Sequence, residues 1–198
     1  MCFRAATMGA TAWKRLGSSL RWRLRPESGQ SAQRRISTRT RNPFRPFYRE
    51  ASARLLRENL TADAPQLQLG AEVLICDGME RLDGLPHLCR SETNELLLEM
   101  PFYQWPEAIW DTLYALCERR DIKIVLAHAE RYPPEAIEQL IRDNVALQLN
   151  SECLTRPLHR KRYLTWIKNG SVKYLGSDIH MLGDGYRAWE KCVKLLGK

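Results

Sequence analysis

No Cys-x-x-C pair occurs in this chain, and its six cysteines (Cys2, Cys76, Cys89, Cys117, Cys153, Cys192) are scattered singly along it. That excludes a zinc knuckle and a small disulfide framework, and it leaves free, mostly packed thiols in a reducing cytoplasm as the expectation. No apolar run is long enough to span a bilayer, so no membrane span is expected. Histidine is scarce, with four in all and none before His87. Acidic residues are nearly absent from residues 1–48, which hold eleven Lys/Arg against Glu27 alone, a balance of +10. Residues 49–198 carry twenty Lys/Arg against twenty-two Asp/Glu, a balance of −2. The net charge of +8 therefore belongs to one segment. It says nothing about the partners of the larger part, where no nucleic acid is expected.

What remains is a chain of 198 residues with an ordinary apolar content of 44%, enough for one domain with a sizeable core. Two kinds of sequence meet near Tyr48. From residue 49 onward, strand-like and helix-like stretches alternate. Glu50–Leu60 favours helix, Leu67–Ile75 strand, and Glu95–Met100 a short buried strand. Pro106–Arg120 predicts a helix with Ile109, Leu113, Leu116 and Cys117 on one face. Ile122–Ala127 reads as strand, Glu135–Asn144 as helix, Val145–Leu149 as strand and Leu158–Asn169 as a helix closed by Gly170. Val172–Gly176 is a last strand and Arg187–Leu196 a last helix. Strands separated by helices imply parallel pairing, in either an open doubly wound sheet or a (β/α) barrel.

The ionisable residues fall at telling positions. Glu72 is expected late in the first of these strands and Glu99 at the end of the second. His128 follows the IKIVLA strand directly, and Asp178 and His180 follow VKYLG. Parallel α/β folds gather the C-terminal ends of their strands on one face, where barrel enzymes place their chemistry. A lone histidine after a strand is commonly a polar cap, and Asp-x-His alone is a weak pattern. Glu99 is harder to explain blandly, because a carboxylate ending a buried strand is costly unless paired or bound to a cation. Five such residues converging on one rim suit Mn²⁺, Zn²⁺ or Fe²⁺. His87 and His159 stand in polar contexts and are expected at the surface.

At these residues the chain resembles a known family. LLLEMPF (Leu96–Phe102), IVLAHAERY (Ile124–Tyr132) and YLGSDIH (Tyr174–His180) are similar to signature segments of the bacterial PHP-type (polymerase and histidinol phosphatase) tyrosine phosphatases of capsule and exopolysaccharide synthesis. LGAEVLI (Leu69–Ile75) is similar to the segment carrying an earlier metal-binding glutamate. The resemblance implies an α/β fold, here a partial, distorted (β/α)7 TIM-like PHP barrel over residues 49–198, with divalent metals at its C-terminal rim, commonly manganese. It implies that Glu72, Glu99, His128, Asp178 and His180 are metal ligands and that Arg131 contacts substrate phosphate. A second family arginine has its nearest counterpart in Arg187, at a different spacing. The implied reaction is hydrolysis of protein phosphotyrosine, with an autophosphorylating bacterial tyrosine kinase as partner. Histidinol phosphate hydrolysis is the nearest enzymatic alternative. No Cys-x5-Arg loop of the cysteine-dependent phosphatases is present.

The family begins with an Asp-x-His-x-His strand and soon adds a Thr-Pro-His motif, and this chain has neither. A shifted reading frame of Met1–Gly9 allows Val-Leu-Pro-Gly-x-Asp-Asp-Gly, and the same frame of Ala32–Arg39 allows Thr-Thr-Pro-His-Phe-x-Pro. Both missing regions thus recur in order and in one frame, which reads residues 1–48 as an out-of-frame segment. An Arg- and Ser-rich transit peptide and a basic nucleic-acid arm are the competing readings, in that order. Residues 1–48 have no sustained apolar face and are expected to lack regular structure. Without the early ligands, the expected outcome is a weakly active enzyme or a non-catalytic remnant.

Overall fold

The computed structural model describes residues 2–5, 21–23, 70–90, 93–178 and 185–196. Its strands are β1 (Cys2–Ala5), β2 (Arg21–Arg23), β3 (Ala71–Leu74), β4 (Glu95–Glu99), β5 (Lys123–Leu126), β6 (Ala146–Asn150) and β7 (Val172–Gly176). Its helices are α1 (Glu107–Glu118), α2 (Pro134–Arg142), α3 (Ser151–Thr155), α4 (Arg160–Lys168) and α5 (Gly185–Leu196). Short 3-10 turns lie at Met79–Arg81, Leu85–Leu88 and Ala129–Arg131.

These strands form one sheet in the order β2-β1-β3-β4-β5-β6-β7. From β3 to β7 every pairing is parallel, as alternation with helices predicts. β1 instead runs antiparallel to both β2 and β3. These two short strands lie in the segment expected to lack regular structure. The edge of β3 offers unpaired backbone groups that a strand of either direction can satisfy. The predicted helix over Glu50–Leu60 lies outside the described residues. Glu72, expected late in its strand, is the second residue of β3. Among the described residues no helix is long and apolar enough to cross a membrane.

Alternation of side chains along the strands divides the buried residues into two sets. Leu96 and Leu98 of β4, Ile124 and Leu126 of β5, and Leu147 and Leu149 of β6 face outward and join the main core. There they meet Ile109, Leu113 and Leu116 of α1, Ile137 and Leu140 of α2, and Tyr163 and Trp166 of α4. Cys117, expected on the packed face of α1, is exposed, and Thr112 is buried in that helix instead. The predicted ending of α4 holds. Gly170 takes φ 80, its N–H bonds Ile167 O, and Ser171 N–H bonds Trp166 O, as in a Schellman cap.

Leu97, Val125 and Ala127 form a second, smaller cluster on the other face, with Ala146 and Tyr174 against it. That face is concave. In a flat sheet β4 and β7, three strands apart, would be about 14 Å apart, at about 4.8 Å per step. Yet the Tyr174 hydroxyl on β7 donates to Glu95 Oε2 on β4 over 2.5 Å. Arg90 donates to both Glu95 (2.9 Å) and Tyr174 (2.8 Å), and Lys173 is ion-paired with Glu95. A register slip on β7 makes this possible. Leu147 pairs with Val172 but Gln148 with Tyr174, so Lys173 is the extra residue of a bulge. Val172 and Leu175 then pack against the main core, and Tyr174 turns inward.

Candidate metal centre

The inward rows of the parallel strands carry polar residues. On β3 the outward Ala71 and Val73 leave Glu72 inward, and on β4 the outward Leu96 and Leu98 leave Glu99 inward. On β5, Val125 and Ala127 face inward, so continued extension would turn His128 outward. The backbone of His128 instead enters the left-handed region, φ 52. For a residue with a side chain this costs about 1–3 kcal/mol and is found where a site demands it. Here the turn brings the His128 ring inward, with Nε2 2.9 Å from Glu72 Oε1.

Glu72, Glu99 and His128 are all buried, and one ligand atom from each lies within 4.8 Å of the others. Two carboxylates gathered in a buried space repel one another and lose hydration. Burial disfavours the His128 imidazolium, but the bond to Glu72 and the nearby carboxylates outweigh it and raise its pKa above 6.5. A divalent cation would neutralise the pair more completely. Oxygen and imidazole nitrogen are the donors that Mn²⁺, Zn²⁺ and Fe²⁺ accept, so the residues present fit such an ion.

Of the other residues singled out from sequence, Asp178 follows β7 with its backbone also left-handed, φ 46. It stands beside the trio rather than within it, ion-paired with Arg131 and 3.4 Å from Asn150 Nδ2. Arg131 ends the turn after His128 and is about one-third exposed, with its Nε 3.9 Å from Glu130. His180 lies outside the described residues. Arg187 is exposed on α5, and His87 and His159 are exposed as expected.

Three polar side chains around the trio, the buried Gln148 and Asn150 and the partly buried Glu130, were not anticipated. Gln148 and Asn150 alternate with Leu147 and Leu149 on β6 and so point inward together. Gln148 Oε1 accepts the His128 N–H at 2.7 Å, and Gln148 Nε2 donates to Asn150 Oδ1 at 2.9 Å. Asn150 Oδ1 also lies 3.3 Å from His128 Nδ1. Glu130 accepts the Asn150 N–H at 3.1 Å, and burial raises its pKa despite that bond. The signal for Gln148 and Asn150 was present: in VALQLN, polar residues at alternate positions of a buried strand share a face.

Neither a family model nor a curated protein matches the sequence. Among solved structures, a chain from the crystal structures of YwqE from Bacillus subtilis and CpsB from Streptococcus pneumoniae, described as metal-dependent tyrosine phosphatases, shares this fold. The TM-score is 0.57 at 20% sequence identity, and the match covers 75% of this chain and 62% of that one.

Proposed function

We propose that this chain is a metal-dependent phosphatase for protein phosphotyrosine, built on a partial, distorted (β/α)7 PHP barrel. The observation that carries the reading is the buried Glu72–Glu99–His128 trio, with Arg131 and Asp178 beside it just past the C-terminal ends of β5 and β7. In this reading Glu72, Glu99 and His128 hold the metal, with Asp178 and His180 completing its ligands, and manganese is the metal. The fold shared with metal-dependent tyrosine phosphatases supports the reaction class. Phe102 and Tyr103, exposed just after Glu99, support an aromatic substrate, because aryl rings stack on such side chains. An autophosphorylating tyrosine kinase of capsule or exopolysaccharide synthesis, in the cytoplasm, is the partner.

A bound divalent cation supplies Lewis-acid neutralisation of phosphoryl oxygens and lowers the pKa of a water. The chain's own residues do the rest. Arg131 offers a planar guanidinium that can leave Asp178 for a phosphate and pair with two of its oxygens. The same guanidinium then faces the charge that builds as the P–O bond to the tyrosyl oxygen breaks. Glu130 and Asn150 keep the rim in place from below.

A second reading, a weakly active chain, has its own observation. β1 lies beside β3 with Arg4 opposite Glu72, and Cys2–Ala5 contributes no histidine, aspartate or glutamate there. The missing ligands support reading residues 1–48 as an out-of-frame segment joined to the phosphatase of residues 49–198, whereas a strand there paired on both sides weighs against it. The test compares this chain with one whose first 48 codons are read in the shifted frame, using p-nitrophenyl phosphate and Mn²⁺. Loss of outer ligand-supporting groups alone commonly costs about 10–100-fold, so the reframed chain is expected to be at least about 100-fold faster. Glu99→Ala and His128→Ala should abolish its activity. A folded, metal-binding, reframed chain without activity overturns the phosphatase reading. Equal activity in both chains overturns the out-of-frame reading.

A further inference from the structure

Backbone amides cannot change their polarity, and one of them starts a chain of hydrogen bonds that ends at the metal trio. The His128 N–H must donate, so the atom 2.7 Å away on Gln148 is its carbonyl oxygen. The Gln148 amide nitrogen is then the donor 2.9 Å from Asn150, which makes that Asn150 atom the oxygen. The Asn150 nitrogen is left facing Asp178 Oδ2 at 3.4 Å, an acceptor, and the direction is consistent. Asn150 Oδ1 can only accept, so His128 Nδ1, 3.3 Å away, carries the hydrogen between them. Nε2 donates to Glu72 at 2.9 Å, and a cation that displaces that hydrogen would find the lone pair on Nε2 while Nδ1 keeps its own hydrogen.

Gly176 of β7 guards this arrangement. A Cβ built there would lie 2.6 Å from Gln148 Nε2 and 3.7 Å from Asn150 Oδ1. The absent side chain is the space in which the Gln148 amide lies. Both amide residues are buried.

We infer that Gln148 and Asn150 are positioning residues for the metal centre, a directed amide relay that fixes the Nδ1–H tautomer of His128 and presents Nε2 to the cation. The inference rests on the proposed metal centre and adds a role that none of its ligands can fill. Metal-bound histidines are generally held by such a bond on the other ring nitrogen. Here the bond is set by an amide pair on the next strand.

Two near-isosteric substitutions separate a relay from a simple effect of charge. Gln148→Glu keeps the oxygen that accepts from His128 N–H but removes the donor to Asn150. The Asn150 amide must then flip and point its nitrogen at His128 Nδ1, which favours the wrong tautomer. Asn150→Asp keeps acceptors for both Gln148 Nε2 and His128 Nδ1–H and loses only the long 3.4 Å donor to Asp178. Each adds one negative charge near the site, so a charge effect would strengthen cation binding in both.

The experiment titrates Zn²⁺ into the full chain by calorimetry and records ¹⁵N shifts of the His128 ring in the zinc-loaded protein. The relay predicts protonated Nδ1 and liganded Nε2 in the unaltered chain. It predicts a loss of about 10–100-fold in zinc affinity for Gln148→Glu, and a change within about threefold for Asn150→Asp. Gly176→Ala, which alters neither amide nor ligand, should weaken zinc as Gln148→Glu does, and it decides the matter if that variant does not fold. Tighter zinc binding in both charge variants overturns the relay, as does a liganded Nδ1. His128→Ala distinguishes the two levels: if it leaves zinc affinity unchanged, the metal centre itself is misassigned.

Discussion

Glu95 and Glu99 lie on the same inward face of β4, four residues apart, and their surroundings give them different work. Glu95 is compensated by the protein's own groups, Arg90, Lys173 and the Tyr174 hydroxyl. Burial pushes its pKa up, but the hydrogen bonds from Lys173, Tyr174 and Arg90 outweigh it and hold the value below 4.5. Its contribution to stability is therefore complete above the ordinary glutamate range and fades as pH falls through the lower folded value. Glu95→Ala is expected to cost about 3 kcal/mol at pH 7, at the low end for a broken buried pair because Lys173 is half exposed. Urea unfolding from pH 3 to 7 should show the gap between variant and parent narrowing below about pH 4. Glu99, by contrast, shares its space with Glu72 and His128, which is the arrangement of a cation site. Glu99 was legible in the sequence because a carboxylate after three leucines has no cheap structural reason. Gln148 and Asn150 were not read, because a strand search weighs apolar residues and passes over the polar ones between them. Strand parity would also have aimed His128 away from the site, and only its left-handed backbone brings it back.

At the scale of elements, the parallel strands and the longer helices were legible from apolar periodicity and from Pro and Gly at their ends. β4, for example, occupies Glu95–Glu99 against an expected Glu95–Met100, and β7 matches Val172–Gly176. α3 was missed because five residues after a strand carry too little periodicity to register. β1 and β2 were missed because strands this short are defined by their partners rather than by their own sequence. What joins one element to the next is also specific. The Tyr132 hydroxyl accepts from Met100 N at 2.9 Å and donates to Met100 O at 3.2 Å, tying the turn after β5 to the end of β4. Tyr132→Phe would leave the buried Met100 N–H without that acceptor, and a loss of about 1–3 kcal/mol in urea unfolding is expected. Met100 follows Glu99, so zinc affinity should fall in the same variant. Leu126→Ala, in the fully buried outward row of β5, should cost about 3–5 kcal/mol and leave the inward face in place.

The molecule as a whole joins a sheet curled about an inward face to a core packed on its outer side, and the curl itself was beyond the reach of periodicity. Alternating strands and helices fit an open sheet and a barrel equally well. The difference lies in long-range contacts such as Glu95 with Tyr174 and Glu72 with His128. A cation held by the trio binds the folded chain and not the unfolded one, so at a hundred times its dissociation constant it should stabilise by about 2.7 kcal/mol. For a chain of this size that raises the melting temperature by roughly 5–10 °C, an increment expected to vanish with a chelator and in Glu99→Ala. The contact between Glu95 and Tyr174 has another consequence. With Leu97, Val125 and Ala127 filling the level above it, the described residues give the concave face a floor. The opposite end of that face, among the described residues, is the rim that bears Arg131. Under the proposed reading, phosphate and product would both pass Arg131 at that rim, so whatever rests on it would slow entry and exit alike.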